Sequence, residues 1–345
     1  MRHGVRRAVE QLSPGYFALV MATGIVSIGL DTVGLASASV VLLALAVTSY
    51  AVLWVLYVWR AVAFRSAWVH DLRDPEQAFG YFTVVAGTGV LAAALIRHGL
   101  IGPALGCFIL AAALWFVFGY VLPWQVFMSR DGKSILASTN GTWFVWAVAC
   151  QSVAVGAAQI EPHVETGREW IGLLAVLSWS VGVALYAGVA ILVLLRIIHF
   201  GMTAEAFEPS FWVSMGALAI AVVAGTSIVD MRPTPILDAS STMIAGTVVI
   251  FWSFCVWLIP MLVGAGFWRH VRHRVPLRYT PALWSMVFPL GMFAVASMNI
   301  GRVDRLPAAE VIGHVMLAVA VFAWIVVFLG MLRRLLLTVL GRRPV

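Results

Sequence analysis

Phe79-Gly-Tyr-Phe-Thr-Val-Val-Ala-Gly-Thr-Gly89 carries no charge, and Gly80, Thr83 and Gly87 recur at i, i+3 and i+7, one face of a helix. The run that holds it, 79–97, is apolar and close to the ~20 residues that a membrane-crossing helix needs. A membrane helix with a stripe of glycine and threonine has two readings. Small residues let two backbones approach closely, or they leave room for polar cargo beside the helix. Whether the stripe recurs along the chain decides between them.

The rest of the chain has the same character. Its 345 residues are 62% hydrophobic and 11% charged, with a mean hydropathy of +0.98. Soluble domains run at about 25% charged, so too little polar surface exists for a water-soluble globule. Transmembrane β-barrels show alternating segments of about ten residues, whereas these apolar runs are long and unbroken. The expected fold is an all-α polytopic membrane protein. Ten runs qualify: 15–34, 37–60, 79–97, 100–122, 139–158, 170–197, 210–229, 242–266, 280–299 and 308–335. The short connections leave no space for a soluble domain. Residues 1–345 therefore read as a single membrane domain, a ten-helix bundle over 14–335 between tails 1–13 and 336–345. The basic start, Met1-Arg-His-Gly-Val-Arg-Arg7, reads as a retained tail rather than a cleaved signal.

Lysine and arginine gather on the cytoplasmic side of membrane proteins. With the N-terminus inside, 17 of the 22 fall on the inner side: Arg2, Arg6, Arg7, Arg60, Arg65, Arg73, Arg130, Lys133, Arg196, Arg269, Arg272, Arg274, Arg278, Arg333, Arg334, Arg342 and Arg343. Only 5 fall outside: Arg97, Arg168, Arg232, Arg302 and Arg305. A missed span would scramble this alternation. The expectation is a multi-pass protein of the cell (inner) membrane with both termini cytoplasmic.

The glycine–hydroxyl stripe does recur, in every odd span. The first carries Thr23, Gly24 and Ser27, the third Gly80, Thr83 and Gly87, and the fifth Thr142, Gln151 and Ser152. The seventh carries Gly216 and Ser227, and the ninth Ser285. The even spans are dominated by aliphatic and aromatic residues. Five helical hairpins, each with one inner and one outer helix, satisfy this pattern, with the inner five around a central quasi-fivefold pore. The pore-lining candidates are Thr23, Gly24, Ser27, Gly80, Thr83, Gly87, Thr142, Gln151, Gly216, Ser227, Ser285 and Met292.

No Asp, Glu, Lys or Arg lies in the central turns of any span. Such a group costs at least ~2.5–3.5 kcal/mol at mid-membrane and usually marks function. Its absence argues against proton relays, carboxylate cation sites and most ion-coupled carriers, and leaves no obvious acid, base or nucleophile pair for an intramembrane hydrolase. His314, near an end of the tenth span, reads as structural. Cys107, Cys150 and Cys255 lie singly in apolar runs and form no disulfide or metal motif. No metal or other cofactor and no nucleic-acid partner are expected. A neutral passage lined by hydroxyl donors still passes anions, provided they are held weakly enough to leave. Basic mouths would concentrate them; the candidates are Arg97, Arg302 and Arg278, although inner-side arginines are also demanded by topology alone.

In the ninth span, Trp284-Ser-Met-Val-Phe288-Pro289-Leu-Gly291-Met292, an internal proline removes a hydrogen bond and kinks the helix. Ser285, Phe288 and Met292 share a face, and Phe288 lies at about mid-depth, roughly 12 Å from the inner end. A ring beside a kink fits a hydrophobic constriction as well as ordinary packing.

Pro14-Gly-Tyr-Phe-Ala-Leu-Val-Met-Ala-Thr-Gly24 resembles the first helix of the tellurite-resistance/dicarboxylate transporter family, which holds TehA-like bacterial proteins, fungal malate permeases, fungal sulfite pumps and plant slow anion channels. Asp71-Leu-Arg-Asp-Pro75, Asn140-Gly-Thr-Trp143 with Gln151-Ser152, and Trp284 to Met292 resemble further segments, in order. The resemblance spans about residues 12–335. It implies five hairpins around a pore, a homotrimer with one pore per subunit, and a gate at Phe288 beside Pro289. One departure is that spans three, five and seven hold glycine but no internal proline. The function implied is transport of small anions, either C4-dicarboxylates such as malate or inorganic anions; tellurite resistance is a family label. Alternatives are a proton-coupled dicarboxylate or sulfite carrier and, remotely, a membrane enzyme or sensor. The expected partners are the anion and the lipid bilayer.

Overall fold

The computed structural model describes residues 2–128, 134–303 and 306–339. Arg130, Lys133, Arg305, Arg342 and Arg343, counted above for orientation, lie outside the described residues, as do positions 340–345 of the expected C-terminal tail. Ten helical spans are long and apolar enough to cross a membrane: α1 (Pro14–Thr32), α2 (Ala36–Ala63), α3 (Ala78–Arg97), α4 (Ile101–Met128), α5 (Gly141–His163), α6 (Arg168–Phe200), α7 (Pro209–Val229), α8 (Pro235–Arg272), α9 (Pro281–Arg302) and α10 (Pro307–Leu337). Each matches one expected run. The outer helices overrun their runs because helix continues through polar ends such as Asp238-Ala-Ser-Ser-Thr242, where hydropathy falls but nothing breaks the backbone ladder. Ahead of α1, Arg2–Glu10 is itself helical, where only a tail was expected.

The odd and even helices occupy different layers. Between 78% and 94% of the most apolar window of each odd helix is buried, against 17% to 28% for each even one. The odd helices close a ring in which α1 packs on α3, α3 on α5, α5 on α7, α7 on α9 and α9 on α1, and each even helix packs on the odd helix before it. The hairpins turn tightly. At the ends of α1 and α3 the chain reverses through Gly34 (φ 83) and Gly99 (φ 73), with Leu35 N–H donating to Leu30 O and Leu100 N–H to Leu95 O. Glycine meets this left-handed stop without a Cβ penalty.

Every inner helix opens with a turn of 3₁₀ helix: Pro14–Phe17, Ala78–Tyr81, Gly141–Trp143, Pro209–Trp212 and Pro281–Leu283. Three start on proline, which is suited to the first turn because its missing N–H would be unpaired there anyway. Ser13 Oγ accepts from Gly15 N–H, and Asn140 Oδ1 from Thr142 N–H at 2.8 Å. The five turns form a closed ring of their own. Between the turns of α5 and α7 the backbones nearly touch, and a Cβ on Gly141 would overlap the Ser210 carbonyl and Phe211 amide.

A second regularity ties outer helices to inner ones. Each outer helix sends an aromatic polar group into the next inner helix around the ring. Tyr50 of α2 shares a hydrogen bond with Thr88 Oγ1 of α3 (3.0 Å), and Trp115 of α4 donates to Cys150 Sγ of α5 (3.1 Å). Trp179 of α6 donates to Ala221 O of α7 (3.0 Å), Trp252 of α8 to Ser297 Oγ of α9 (2.9 Å) and Trp324 of α10 to Thr23 Oγ1 of α1 (3.0 Å). The last clasp joins the two ends of the chain.

Lipid offers these groups no alternative partner, and one interhelical hydrogen bond in a membrane contributes about 1 kcal/mol. Trp252→Phe keeps the ring but leaves the fully buried Ser297 unpaired, so it should lower the Tm of the purified protein. Trp257→Phe, on the exposed face of the same helix, should leave it unchanged. Equal Tm for wild type and Trp252→Phe would show that the clasp carries no stability.

Candidate functional site

Because all five inner helices run in the same direction, their opening turns meet at one end of the bundle and their last turns at the other. A cavity lies at each end. The proximal cavity, about 280 Å³, is walled by the opening turns: Ser13 and Gly15, Gly80 and Thr83, Asn140 and Thr142, Ser210, and Ser285. Glu76, Glu208 and Arg196 are its charged lining residues. The distal cavity, about 60 Å³, takes residues from the same helices: Ile25 and Ile28, Gly89 and Val90, Ser152 and Gln159, Ile220 and Val223, and Met292 and Asn299, with Arg97 at its edge. A water needs ~10–15 Å³ of such volume, so the distal cavity holds a handful and the proximal one far more.

Phe288 stands between them. Ser285 lines the proximal cavity and Met292 the distal one. Phe288 shares their helical face, about 4.5 Å of rise above Ser285 and about 6 Å below Met292. Its ring lines neither cavity and is 1% exposed. Pro289 follows inside the helix, and Gly216 of α7 faces it; a Cβ there would collide with the proline ring. Gly216 thus makes room for the Pro289 ring rather than lining a passage.

The sequence-based lining set divides. Gly80, Thr83, Thr142 and Ser285 wall the proximal cavity and Met292 the distal one. Thr83 Oγ1 is itself held by donation to Gly80 O at 2.7 Å. Four others are turned elsewhere. Thr23 is the acceptor for Trp324, and Ser27 exchanges hydrogen bonds with Ser39 of α2. Gln151 donates to Trp179 O of α6 at 3.1 Å, and Gly24 faces Val90 of α3. The reason is common to the three polar ones: a hydroxyl or amide in an apolar layer needs a protein partner, and the outer helix supplied one. Gly87 lies against the Phe17 carbonyl. Ser227 is half-buried on the face of Ile220 and Val223, beyond the cavity wall.

The arginines divide too. Arg97 edges the distal cavity but is paired with Asp31 at 3.0 Å and donates to Thr32 Oγ1. Arg302 donates to Thr32 O at 3.0 Å, which brings both guanidinium groups to the last turn of α1. Arg278 is exposed and lines neither cavity. Its neighbour Arg269 is consumed structurally, donating to the carbonyls of Ala204, Glu205 and Phe207. Two ion pairs among the described residues, each with one buried partner, line neither cavity. Arg60 meets Asp71 at 2.7 Å beside Tyr81, and Glu161, 1% exposed at the end of α5, takes Arg168 with Arg232 beyond. At the proximal rim, desolvation raises the Glu208 carboxyl above the usual glutamate range; Arg269 opposes this and Glu76 adds to it.

Sequence reasoning missed Ser13, Asn140 and Ser210 as lining residues. The available signal was the repeat that opens inner helices, Pro14-Gly-Tyr-Phe17, Pro209-Ser-Phe-Trp212 and Pro281-Ala-Leu-Trp284, with an aromatic residue three places after each proline. Among the described residues no group of His, Cys, Asp or Glu could hold a metal ion.

The cavity assignment is checked by single cysteines in a background lacking Cys107, Cys150 and Cys255. A hydrophilic thiol reagent should modify Ser285→Cys from one side of the membrane and Met292→Cys from the other. Thr23→Cys and Ser27→Cys should resist from both. Modification of either of these at the rate of Ser285→Cys would contradict the assignment.

Residues 11–332 match the model of a family described as voltage-dependent anion channel. Two uncharacterized transporters of Methanocaldococcus jannaschii are 25% identical over 326 residues and 23% identical over 328 residues. The first match covers 92% of this chain and 91% of the relative, the second 92% and 93%. An uncharacterized membrane protein of Mycobacterium tuberculosis (strain H37Rv) is 44% identical over 155 residues, 45% of this chain and 79% of its own length.

Proposed function

The chain belongs to the voltage-dependent anion channel family, and on that premise we propose that it passes small anions, inorganic ions or C4-dicarboxylates, along the axis of the inner ring, with Phe288 as the gate. The observation that carries this reading is the pair of cavities on one axis, built from the same five helices and interrupted at Phe288. Between the opening turns and the last turns those helices carry no Asp, Glu, Lys, Arg or His, so an ion meets no fixed charge strong enough to trap it.

Sign selection follows from helix direction. Each helix N-terminus carries roughly half a positive charge and unpaired amide donors. Five of them meet at the proximal cavity, which therefore attracts anions without a basic side chain at every wall. At the distal end Arg302, donating to Thr32 O, offsets the negative end of α1. The phenyl ring of Phe288 closes the passage by size and by excluding water, and its movement beside the Pro289 kink would open it.

The lysine–arginine distribution supports an orientation with the proximal cavity and both termini in the cytoplasm of a cell-membrane protein. The exposed apolar faces of the outer helices suit lipid and, as the family resemblance implies, neighbouring copies in a homotrimer.

Flux through reconstituted protein tests the reading. Wild type should pass chloride in preference to potassium, and Phe288→Ala should raise anion flux several-fold per folded molecule. Truncating a buried phenylalanine also costs ~3–5 kcal/mol of packing, so the variant should melt earlier while conducting more. A well-folded Phe288→Ala protein with unchanged flux would remove Phe288 from the mechanism, and potassium selectivity would overturn the anion reading. Flux that strictly requires protons and moves no net charge would identify a coupled carrier instead.

A further inference from the structure

The arginines at the two ends of the bundle are used differently. At the distal end Arg97, Arg168, Arg232 and Arg302 each hold a protein partner. Among the described residues, the arginines whose side chains have no hydrogen-bond, ion-pair or ring partner all lie at the proximal end. Three of them, Arg272, Arg274 and Arg278, fall where α8 ends and the chain crosses to α9, and all three are exposed. No Asp or Glu occurs from 239 to 303. On the adjoining α6–α7 loop, Glu208 is opposed by Arg269.

This corner is built rather than loose. α8 closes in a π turn, Trp268–Arg272, a form that recurs at functional sites. Arg274 follows with φ 54, in the left-handed region that favours glycine. Such backbone persists only where its surroundings fix it. His273 N–H donates to Trp268 O at 3.1 Å, Val275 N–H to Arg269 O at 3.2 Å and His270 Nδ1 to Val275 O at 2.8 Å. The Trp268 and His273 rings meet edge-on with centroids 4.7 Å apart. Arg269 bolts the turn to three carbonyls of the α6–α7 loop. At the far end Tyr279 accepts from Trp284 Nε1 at 3.1 Å and shares a hydrogen bond with Tyr16 at 3.1 Å, which fastens the corner to the opening turns of α9 and α1. The backbone is thus held at both ends while three guanidinium groups stay uncommitted. Phe267, Val271 and Leu277 flank them, each more than half exposed.

A helix that crosses the bilayer emerges among lipid headgroups. Apolar side chains gain there by entering the interface, and arginine stems lie along it while their heads reach outward. The guanidinium fork matches the oxygens of a phosphate, which it binds through two parallel hydrogen bonds. We propose that residues 267–278 form a docking site for the phosphate headgroup of an anionic phospholipid. Arg272, Arg274 and Arg278 hold the headgroup, and Phe267, Val271 and Leu277 sit in the interface beneath it. The α2–α3 corner at the same end is the contrast. Arg65 and Arg73 are as free, but Asp71, Asp74 and Glu76 accompany them, so that corner offers no net positive surface. The proposed site lines neither cavity and stands whether or not the axis conducts.

A fluorophore on Leu277→Cys, in the full chain lacking its three native cysteines and reconstituted in phosphatidylcholine vesicles, reports which lipid sits at the corner. Spin-labelled phosphatidylglycerol and spin-labelled phosphatidylcholine serve as quenchers. One arginine at a membrane surface favours anionic lipid by about fivefold, so phosphatidylglycerol should quench at a mole fraction at least roughly tenfold lower than phosphatidylcholine. The preference should weaken as salt is raised. Arg272→Gln, Arg274→Gln and Arg278→Gln together should bring the two lipids to within about twofold, with Tm unchanged because these side chains have no protein partner. If the triple variant does not fold, Arg274→Gly, which suits the left-handed backbone, should remove part of the preference by itself. Arg65→Gln with Arg73→Gln should leave it intact. Equal quenching by the two lipids in the wild type, or no quenching by either, overturns the proposal. So does an equal loss in the Arg65 and Arg73 variant, which would indicate a general surface potential. Relief of quenching by millimolar inorganic phosphate at constant ionic strength would assign the corner to a soluble anion and overturn the lipid site.

Discussion

The hydrogen bond from an outer-helix aromatic residue to the next inner helix is the contact on which the rest of this architecture depends. In a bilayer the hydrophobic effect does not drive helices together, because lipid tails are as apolar as leucine. A ring of five helices around an axis would have no reason to keep its members in place without specific contacts. Tyr50, Trp115, Trp179, Trp252 and Trp324 supply them. Each is a large apolar body with one polar handle, so it packs against lipid-facing neighbours while its N–H or O–H reaches inward. Because every clasp runs to the next hairpin, the five hairpins lock in sequence and the last fastens to the first.

The same constraint redistributes the polar residues of the inner helices. Hydroxyls that the outer layer can reach are drawn to it, as with Ser27 against Ser39 and Thr23 under Trp324. Others, Thr142 and Ser285 among them, take no partner from the outer layer and wall the proximal cavity at the opening turns. The polar lining is therefore concentrated in the proximal cavity, and the middle of the ring, where Phe288 is buried, is apolar. An axis polar at one end and apolar at mid-depth follows from where partners were available.

Glycine serves three separate ends here. Gly34 and Gly99 stop helices in a left-handed turn, Gly216 makes room for the Pro289 ring, and Gly141 lets two backbones meet beside Ser210. In the sequence all four read alike, as small residues at the ends or in the interior of apolar runs.

What the sequence determined by itself was the layering. Apolar length set the ten spans, and the alternation of glycine and hydroxyl content with aliphatic and aromatic content separated inner from outer helices, because those properties reside in single residues and their spacing. The stripe of Ser285, Phe288 and Met292 was legible for the same reason, since helical periodicity fixes which residues share a face. Tertiary structure alone decided which neighbour each face met. Thr83 and Thr23 are both threonines on inner helices, yet one walls a cavity and the other receives an indole from a helix 301 residues away in the chain. Ser210 is marked in the sequence only by the opening repeat Pro209-Ser-Phe-Trp212, which does not say what lies opposite it. Its significance comes from Gly141, on another helix, pressing against its carbonyl, and from four further helix starts converging on the same space. Helical period is a property of one segment, whereas the partner that satisfies a buried hydroxyl, or fails to, is a property of the whole ring.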